Sequence, residues 1–264
     1  MPDETKFTYM KRLMAIVTLV MLYGATNAQE VAFKQGEKIT YTVFYNIIGI
    51  YINAGTATFS TSVEQYNNNN VFHVVGEGST NSKYDWIFKV RDRYESYFNT
   101  SDLQSVKFIR NINEGSFKLH EEVAFNQETN TAITSTGVYK VPARVQDVIN
   151  AIYYARNLDY SAYKPGDKIT FSMFLDNKVY NLYIKYIGKE TIKTRYGRYN
   201  AIKLSPQVIT GTVFKNDDKM TMWVTDDSNH IPVRVESPIA VGTIKIDLKA
   251  YQNLKYPLSV IAKN

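Results

Sequence analysis

Three histidines, a few acidic clusters and some strand-borne arginines are the residues of this 264-residue chain whose types could do chemistry. His73 lies between Phe72 and Val74, His120 precedes Glu121-Glu122, and His230 follows Asp226-Asp227-Ser228-Asn229. A histidine beside carboxylates can bind a divalent metal or act as a general base. Either role needs convergent ligands, and the sequence shows no His-x-His, His-Glu-x-x-His or two-histidine, one-carboxylate spacing. Asp226-Asp227-x-Asn229 lacks the alternating ligands, central glycine and distal glutamate of a calcium loop, and reads as a β-turn. Serine catalysis has no Gly-x-Ser-x-Gly elbow, and no glycine-rich phosphate loop is present. The absence of cysteine removes disulfides, thiolate nucleophiles and thiolate metal sites. The expectation is therefore no metal, no cofactor and no assigned catalytic residue, a reading that leans away from an enzyme.

The charged residues inside apolar stretches leave two readings open. Arg91 and Arg93 sit two apart with Glu95 beyond them, as do Arg234 and Glu236, and residues two apart in a strand share a face. They either line a polar patch of a ligand cavity or form cross-strand ion pairs on an outer sheet face. If a cavity exists, inward aromatics beside the single helix are the ligand contacts to expect. On that argument Tyr153, Trp86 and Arg93 are the candidate ligand-binding residues.

The elements that would position them are mostly strands. Ile39 to Tyr45, Thr56 to Val63, Val71 to Val75, Trp86 to Phe98, Val106 to Ile112, Phe117 to Phe125 and Thr131 to Val138 carry alternating or β-branched patterns, each bounded by Asn, Gly, Asp or Ser. Asn67 to Asn70 predicts a hairpin tip. Val145, Val148, Ile149, Ile152 and Tyr153 recur at i, i+3, i+4, i+7 and i+8, predicting one amphipathic helix over residues 144–156. Strands resume at Lys168 to Leu175, Val179 to Ile187, Tyr199 to Leu204, Met220 to Thr225, Pro232 to Glu236 and Thr243 to Tyr251. The spacing suits an antiparallel barrel-like or two-sheet architecture with one central helix. Phe33-Lys-Gln-Gly-Glu-Lys-Ile-Thr-Tyr41 echoes Tyr163-Lys-Pro-Gly-Asp-Lys-Ile-Thr-Phe171, each a glycine turn leading into a strand. Duplication of a β unit and convergent turn chemistry both account for the echo.

Composition fits an ordinary globular chain, with 44% hydrophobic and 21% charged residues, but 21 Tyr and 13 Phe favour sheet surfaces. The +6 formal charge is scattered rather than clustered, so nucleic acid is not an expected partner. Lys11-Arg12, the apolar run Leu13 to Tyr23 and the small residues Thr26 and Ala28 predict a signal peptide over residues 1–28, with Met10 as a second possible start. The run falls short of the ~20 apolar residues of a membrane-spanning helix. Residues 29–264 then form one all-β domain, divisible into β halves 29–140 and 158–264. With no cysteine to carry a lipid, the expected product is a periplasmic protein without a transmembrane segment.

Several blocks resemble one family. They are Phe33 to Tyr41, Ala54-Gly55-Thr56-Ala57, Glu95-Ser96-Tyr97-Phe98, Asp147-Val148 through Tyr154-Ala155-Arg156, Gly197-x-Tyr199-x-Ala201-Ile202-Lys203, Met222-Trp223-Val224-Thr225-Asp226-Asp227 and Ile231-Pro232-Val233-Arg234-Val235-Glu236. Together they resemble a bacterial family of exported proteins known as domain of unknown function three-one-zero-eight. The resemblance implies an all-β, barrel-like protein of the Gram-negative envelope and carries over no functional residue. The leading functional expectation is a periplasmic binding or carrier module for an apolar or amphiphilic, lipid-like ligand. A structural or interaction protein of the envelope with a filled core is the alternative, and a carboxylate-based hydrolase is third.

Overall fold

Turn residues and side-chain alternation divide the chain into strands that follow one another at close intervals. The computed structural model describes residues 30–47, 49–209, 220–239 and 242–262, so the predicted export signal lies outside the described residues. The first strands are β1 (Lys38–Ile47), β2 (Ile50–Tyr66), β3 (Asn69–Thr80), β4 (Arg91–Asn99), β5 (Ser105–Glu114), β6 (Phe117–Asn126), β7 (Thr131–Thr134) and β8 (Gly137–Lys140). The helix α1 (Val148–Ala155) follows. Beyond it lie β9 (Lys168–Leu175), β10 (Lys178–Thr194), β11 (Gly197–Pro206), β12 (Thr221–Thr225), β13 (Pro232–Pro238), β14 (Thr243–Gln252) and β15 (Val260–Ala262).

All the strands join one antiparallel sheet rather than two. Its order is β8-β7-β6-β5-β4-β3-β2-β1-β14-β13-β12-β11-β10-β9, with β15 added to β11. Two up-and-down meanders are thus fused where β1 pairs β14, Val43 opposite Ile246. The sheet does not close, and β8 and β9 remain its edges. An unpaired edge is a template for aggregation. Here the backbone of Gln146 covers part of β9, its N–H donating to the Ser172 carbonyl and its carbonyl accepting from the Phe174 N–H, both at 2.9 Å.

Antiparallel alternation sorts the turns to two ends. The first end carries the turns β1–β2, β3–β4, β5–β6, β7–β8, β9–β10, β11–β12 and β13–β14; the second carries β2–β3, β4–β5, β6–β7, β10–β11 and β12–β13. Inward residues pack at the second end around Phe33, Phe72, Phe98, Phe108 and Tyr153, with Phe33 edge-on to Phe72 and Tyr153 at 4.9 and 4.8 Å. Edge-to-face rings gain from the aromatic quadrupole as well as from burial.

Three local expectations are corrected. The helix begins at Val148, not Arg144, because Arg144 takes φ +59°, Gln146 pairs with β9 and Asp147 caps the first turn. Trp86 to Val90 is not strand; Asn81 caps a short 3₁₀ turn, Ser82–Tyr84, and Asp85 ties that loop to Arg91 at 2.7 Å, so β4 starts at Arg91. Thr131 to Val138 is a hairpin, split by a turn between β7 and β8. The echoed segments share more than sequence. Gly36 (φ +80°) and Gly166 (φ +103°) each donate to a carbonyl of the strand paired with the one the turn leads into, Thr61 of β2 and Tyr186 of β10, both at 2.8 Å. Thr61 and Tyr186 each donate back to Glu37 and Asp167, both at 2.9 Å.

Candidate functional site

The helix is fixed across the second end by a buried polar cluster at each of its termini. At its start, Asp147 accepts from the N–H groups of Ile149 and Asn150 at 2.9 and 2.8 Å and from the hydroxyls of Ser96 and Ser105 at 2.7 and 3.0 Å. Asn150 donates to the Leu103 carbonyl at 2.9 Å. A helix start leaves N–H groups without partners, and a capping carboxylate supplies acceptors for them. At the other terminus Arg156 grips Glu37 with two bonds of 2.6 and 2.9 Å, and these side chains are only 2% and 0% exposed. Arg156 also donates to the Asn229 carbonyl at 3.0 Å, and its own carbonyl accepts from His230 at 2.8 Å. Burial works against the Arg156 charge, but the Glu37 carboxylate holds its pKa above the ordinary arginine value.

Asp147 is fully buried, and burial outweighs its hydrogen bonds, raising its pKa to about 6. A carboxylate whose proton is held more tightly in the folded state makes that state more stable below the unfolded pKa, ~3.9. The contribution is lost as pH rises through about 6. Relative to Asp147→Asn, the stability of the unaltered protein is therefore expected to fall between about pH 4 and pH 6 by roughly 2–3 kcal/mol. Asp147→Asn, which keeps a capping oxygen, should lack this fall; an unchanged pH profile in the variant would disprove the assignment.

Between the helix and the first end the sheet encloses a cavity of about 840 Å³. Its deep wall is Ile39, Tyr41 and Phe59 of β1 and β2 with Ile152 and Tyr153 of α1, and its far wall is Phe171 and Leu182 of β9 and β10. Tyr41 and Phe171 occupy matching positions in the two echoed segments, so both copies turn an aromatic toward the same space. Tyr153 donates to or accepts from Thr61 at 3.1 Å, and burial pushes its phenol up to about 12, so it stays neutral. Burial likewise raises Tyr41. Protein interiors rarely leave voids larger than a water molecule, so a space of this size among apolar side chains is unlike ordinary core packing.

The lining turns polar at Arg156 on the helix side, already paired with Glu37, and again near the first end. Arg110 of β5 points inward in line with Phe108 and Ile112, donates to Glu121 at 2.6 Å and pairs with Asp176 in the β9–β10 turn. Burial disfavours the Arg110 charge, but Asp176 and Glu121 keep its pKa above the usual value. Asp176, Val208 and Ile209 line the cavity from turns of the first end, and Asp176 is exposed. Ile39, Tyr153 and Arg156, on the helix side, are buried. The cavity therefore opens at the first end, with an ion cluster beside its mouth.

A family model described as a protein of unknown function, DUF3108, matches residues 40–249. The chain belongs to the DUF3108 family. No curated protein matches it. The DUF3108 chain is similar to the crystal structure of a β-barrel-like protein of domain of unknown function DUF1849 from Brucella abortus, at 7% identity and TM-score 0.57, covering 84% of this chain and 99% of that one. That likeness bears on the fold alone. A Bacteroides fragilis protein with a YmcC-like fold matches at 11% identity and TM-score 0.38, over 85% of this chain and 100% of that one.

The residues singled out from the DUF3108 sequence part company in space. Tyr153 lies on the cavity wall. Trp86 was expected to point inward but is 83% exposed in the β3–β4 loop, because its segment is loop rather than alternating strand. Arg93 alternates with the inward Tyr94 and so faces out, pairing Glu77 at 2.8 Å and Glu95 at 2.9 Å. His73 sits on the same outer face between Glu64 and Glu95 and stacks on Tyr97. His120 meets Asn111, and Asp227 caps Asn229 in the β12–β13 turn. Among the described residues no group of three or more His, Asp and Glu side chains is placed to hold a metal. Arg110 and the Glu37–Arg156 pair were not singled out. Arg110 had one legible signal, its in-phase position between Phe108 and Ile112.

Proposed function

We propose that this protein binds an apolar or amphiphilic, lipid-like molecule in the cavity between α1 and the first end of the sheet, as an extracytoplasmic binding or carrier module. The observation that carries the reading is the cavity itself: about 840 Å³, walled mostly by aliphatic and aromatic side chains, with the Arg156–Glu37 pair on the helix side and the Arg110 cluster near the mouth. Small-molecule sites of ~300–1,000 Å³ have this character, an apolar wall with few polar groups that set orientation. A chain that packs Tyr and Phe so densely elsewhere could have filled the space, and a filled core is what a purely structural envelope protein would need. The helix is pinned at both termini, so the wall is pre-formed and binding need not order it. The signal-like residues 1–28 support the extracytoplasmic setting.

The reading is tested with an environment-sensitive hydrophobic dye and a saturated long-chain fatty acid as competitor. The dye should brighten with the protein at one saturable site and be displaced stoichiometrically by the fatty acid. Absence of a displaceable site would refute the proposal.

A further inference from the structure

Most of the exposed large apolar side chains among the described residues gather at the end where the cavity opens. Ile50 and Tyr51 stand at the β1–β2 turn, Trp86, Ile87 and Phe88 form the β3–β4 loop, and Phe117 follows the β5–β6 turn. Their exposures run from 48% (Tyr51) to 83% (Trp86). Backbone bonds tie these turns into one rim: Asn81 N–H to the Ala54 carbonyl at 2.8 Å, and Gly115 N–H to the Lys89 carbonyl at 2.7 Å. A Cβ built on Gly115 would lie 3.1 Å from the Phe88 ring, so the β3–β4 loop rests directly on the β5–β6 turn. At the second end the turns read Asn67-Asn68, Thr100 to Gln104, Gln127 to Asn130, Arg195-Tyr196 and Asp226 to Ile231. Leu103 and Ile231 there are buried, and none of the exposed large apolar residues lies in those turns. The molecule is therefore polarised: apart from Ile261 of β15, 49% exposed beside the start of β11, the exposed large apolar side chains of the described residues stand toward the first end.

Water-facing Trp, Ile and Phe at adjoining loop tips mark an interaction surface. The occupant can be read from their neighbours. Lys83 and Lys89 bracket Trp86 to Phe88, Lys118 follows Phe117, and all three lysines are exposed. The acid nearest Trp86, Asp85, is already paired with Arg91, and Glu114, opposite Phe117, shares a hydrogen bond with Asp92 that, with burial, raises its pKa. Indole and aliphatic tips ringed by lysines match a bilayer interface, where Trp sits at headgroup level and cations meet anionic lipid. A protein partner would be expected to meet a more evenly polar rim.

We infer that the first end of the sheet, led by Trp86, Ile87 and Phe88, docks on an anionic lipid bilayer and holds the cavity mouth against it. The docking does not depend on whether the cavity takes a ligand, and its readout differs from dye displacement. The chain has two tryptophans, so Trp223→Phe leaves Trp86 as the only reporter. Where that variant folds poorly, the difference in emission between the unaltered chain and Trp86→Phe isolates the same signal. With vesicles of equimolar phosphatidylglycerol and phosphatidylcholine, Trp86 emission should shift to the blue and be quenched by nitroxide-labelled lipid. With phosphatidylcholine alone, or in high salt, the response should be at least tenfold weaker in apparent affinity. Ile87→Ser with Phe88→Ser should weaken the Trp86 response about tenfold or more. Trp86 emission unmoved by anionic vesicles would overturn the inference. So would loop-dependent self-association in sedimentation without any vesicle response, which would make the rim a surface for a second copy of the chain.

Discussion

Glu37→Ala should cost about 3–5 kcal/mol of stability, the largest single-residue loss expected outside the apolar core. The substitution strands the Arg156 guanidinium, 2% exposed, without its carboxylate. A buried pair contributes little net energy relative to an apolar pair, but half a buried pair is an uncompensated charge. Domains of this kind are stable by only ~5–15 kcal/mol, so the variant should lose a large fraction of that margin. Replacing both partners, Glu37→Met with Arg156→Leu, should lose less than the single change. Urea midpoints of the three proteins test that ordering. A loss under about 1 kcal/mol for Glu37→Ala would show that water reaches Arg156.

Filling the cavity should weaken ligand binding strongly while leaving the fold intact. Ala57 of β2 and Val235 of β13 both line the space. Phenylalanine at both positions directs two rings into the open space, and the stability read from the urea midpoint should stay within about 1–2 kcal/mol of the unaltered protein. If the rings exclude about four ligand methylenes at ~0.8 kcal/mol each, affinity should fall by roughly two orders of magnitude. Unchanged dye or fatty-acid affinity in this double variant would place the binding site elsewhere.

Much of the fold could be read from period-two patterning, because a strand with one face on an interior must alternate. The patterning failed where the apolar residues face water. Trp86, Ile87 and Phe88 are consecutive rather than alternating, and the Asn81 cap and Asp85–Arg91 pair that make them a loop are local polar chemistry. The helix was visible from its spacing, yet its start was set by contacts distant in sequence: Asp147 to Ser96 and Ser105, 51 and 42 residues away. Glu37 illustrates the same limit. Its counterpart in the echoed segment, Asp167, is exposed and accepts from the Lys164 N–H at 2.8 Å, whereas Glu37 is buried against a residue 119 positions on. Two turns with the same grammar thus differ in role because only one meets the helix. A cavity beside the helix was an expectation that Tyr153 meets, but its size was not legible, since alternation shows which side chains face inward and not how far apart the facing walls stand.

Native mass spectrometry of the gently purified protein beside the Ala57→Phe, Val235→Phe variant tests the carrier reading most directly. A lipid-like adduct should accompany the unaltered protein and be missing from the variant. Bare protein mass in both, together with no dye displaceable from the unaltered protein, would contradict it.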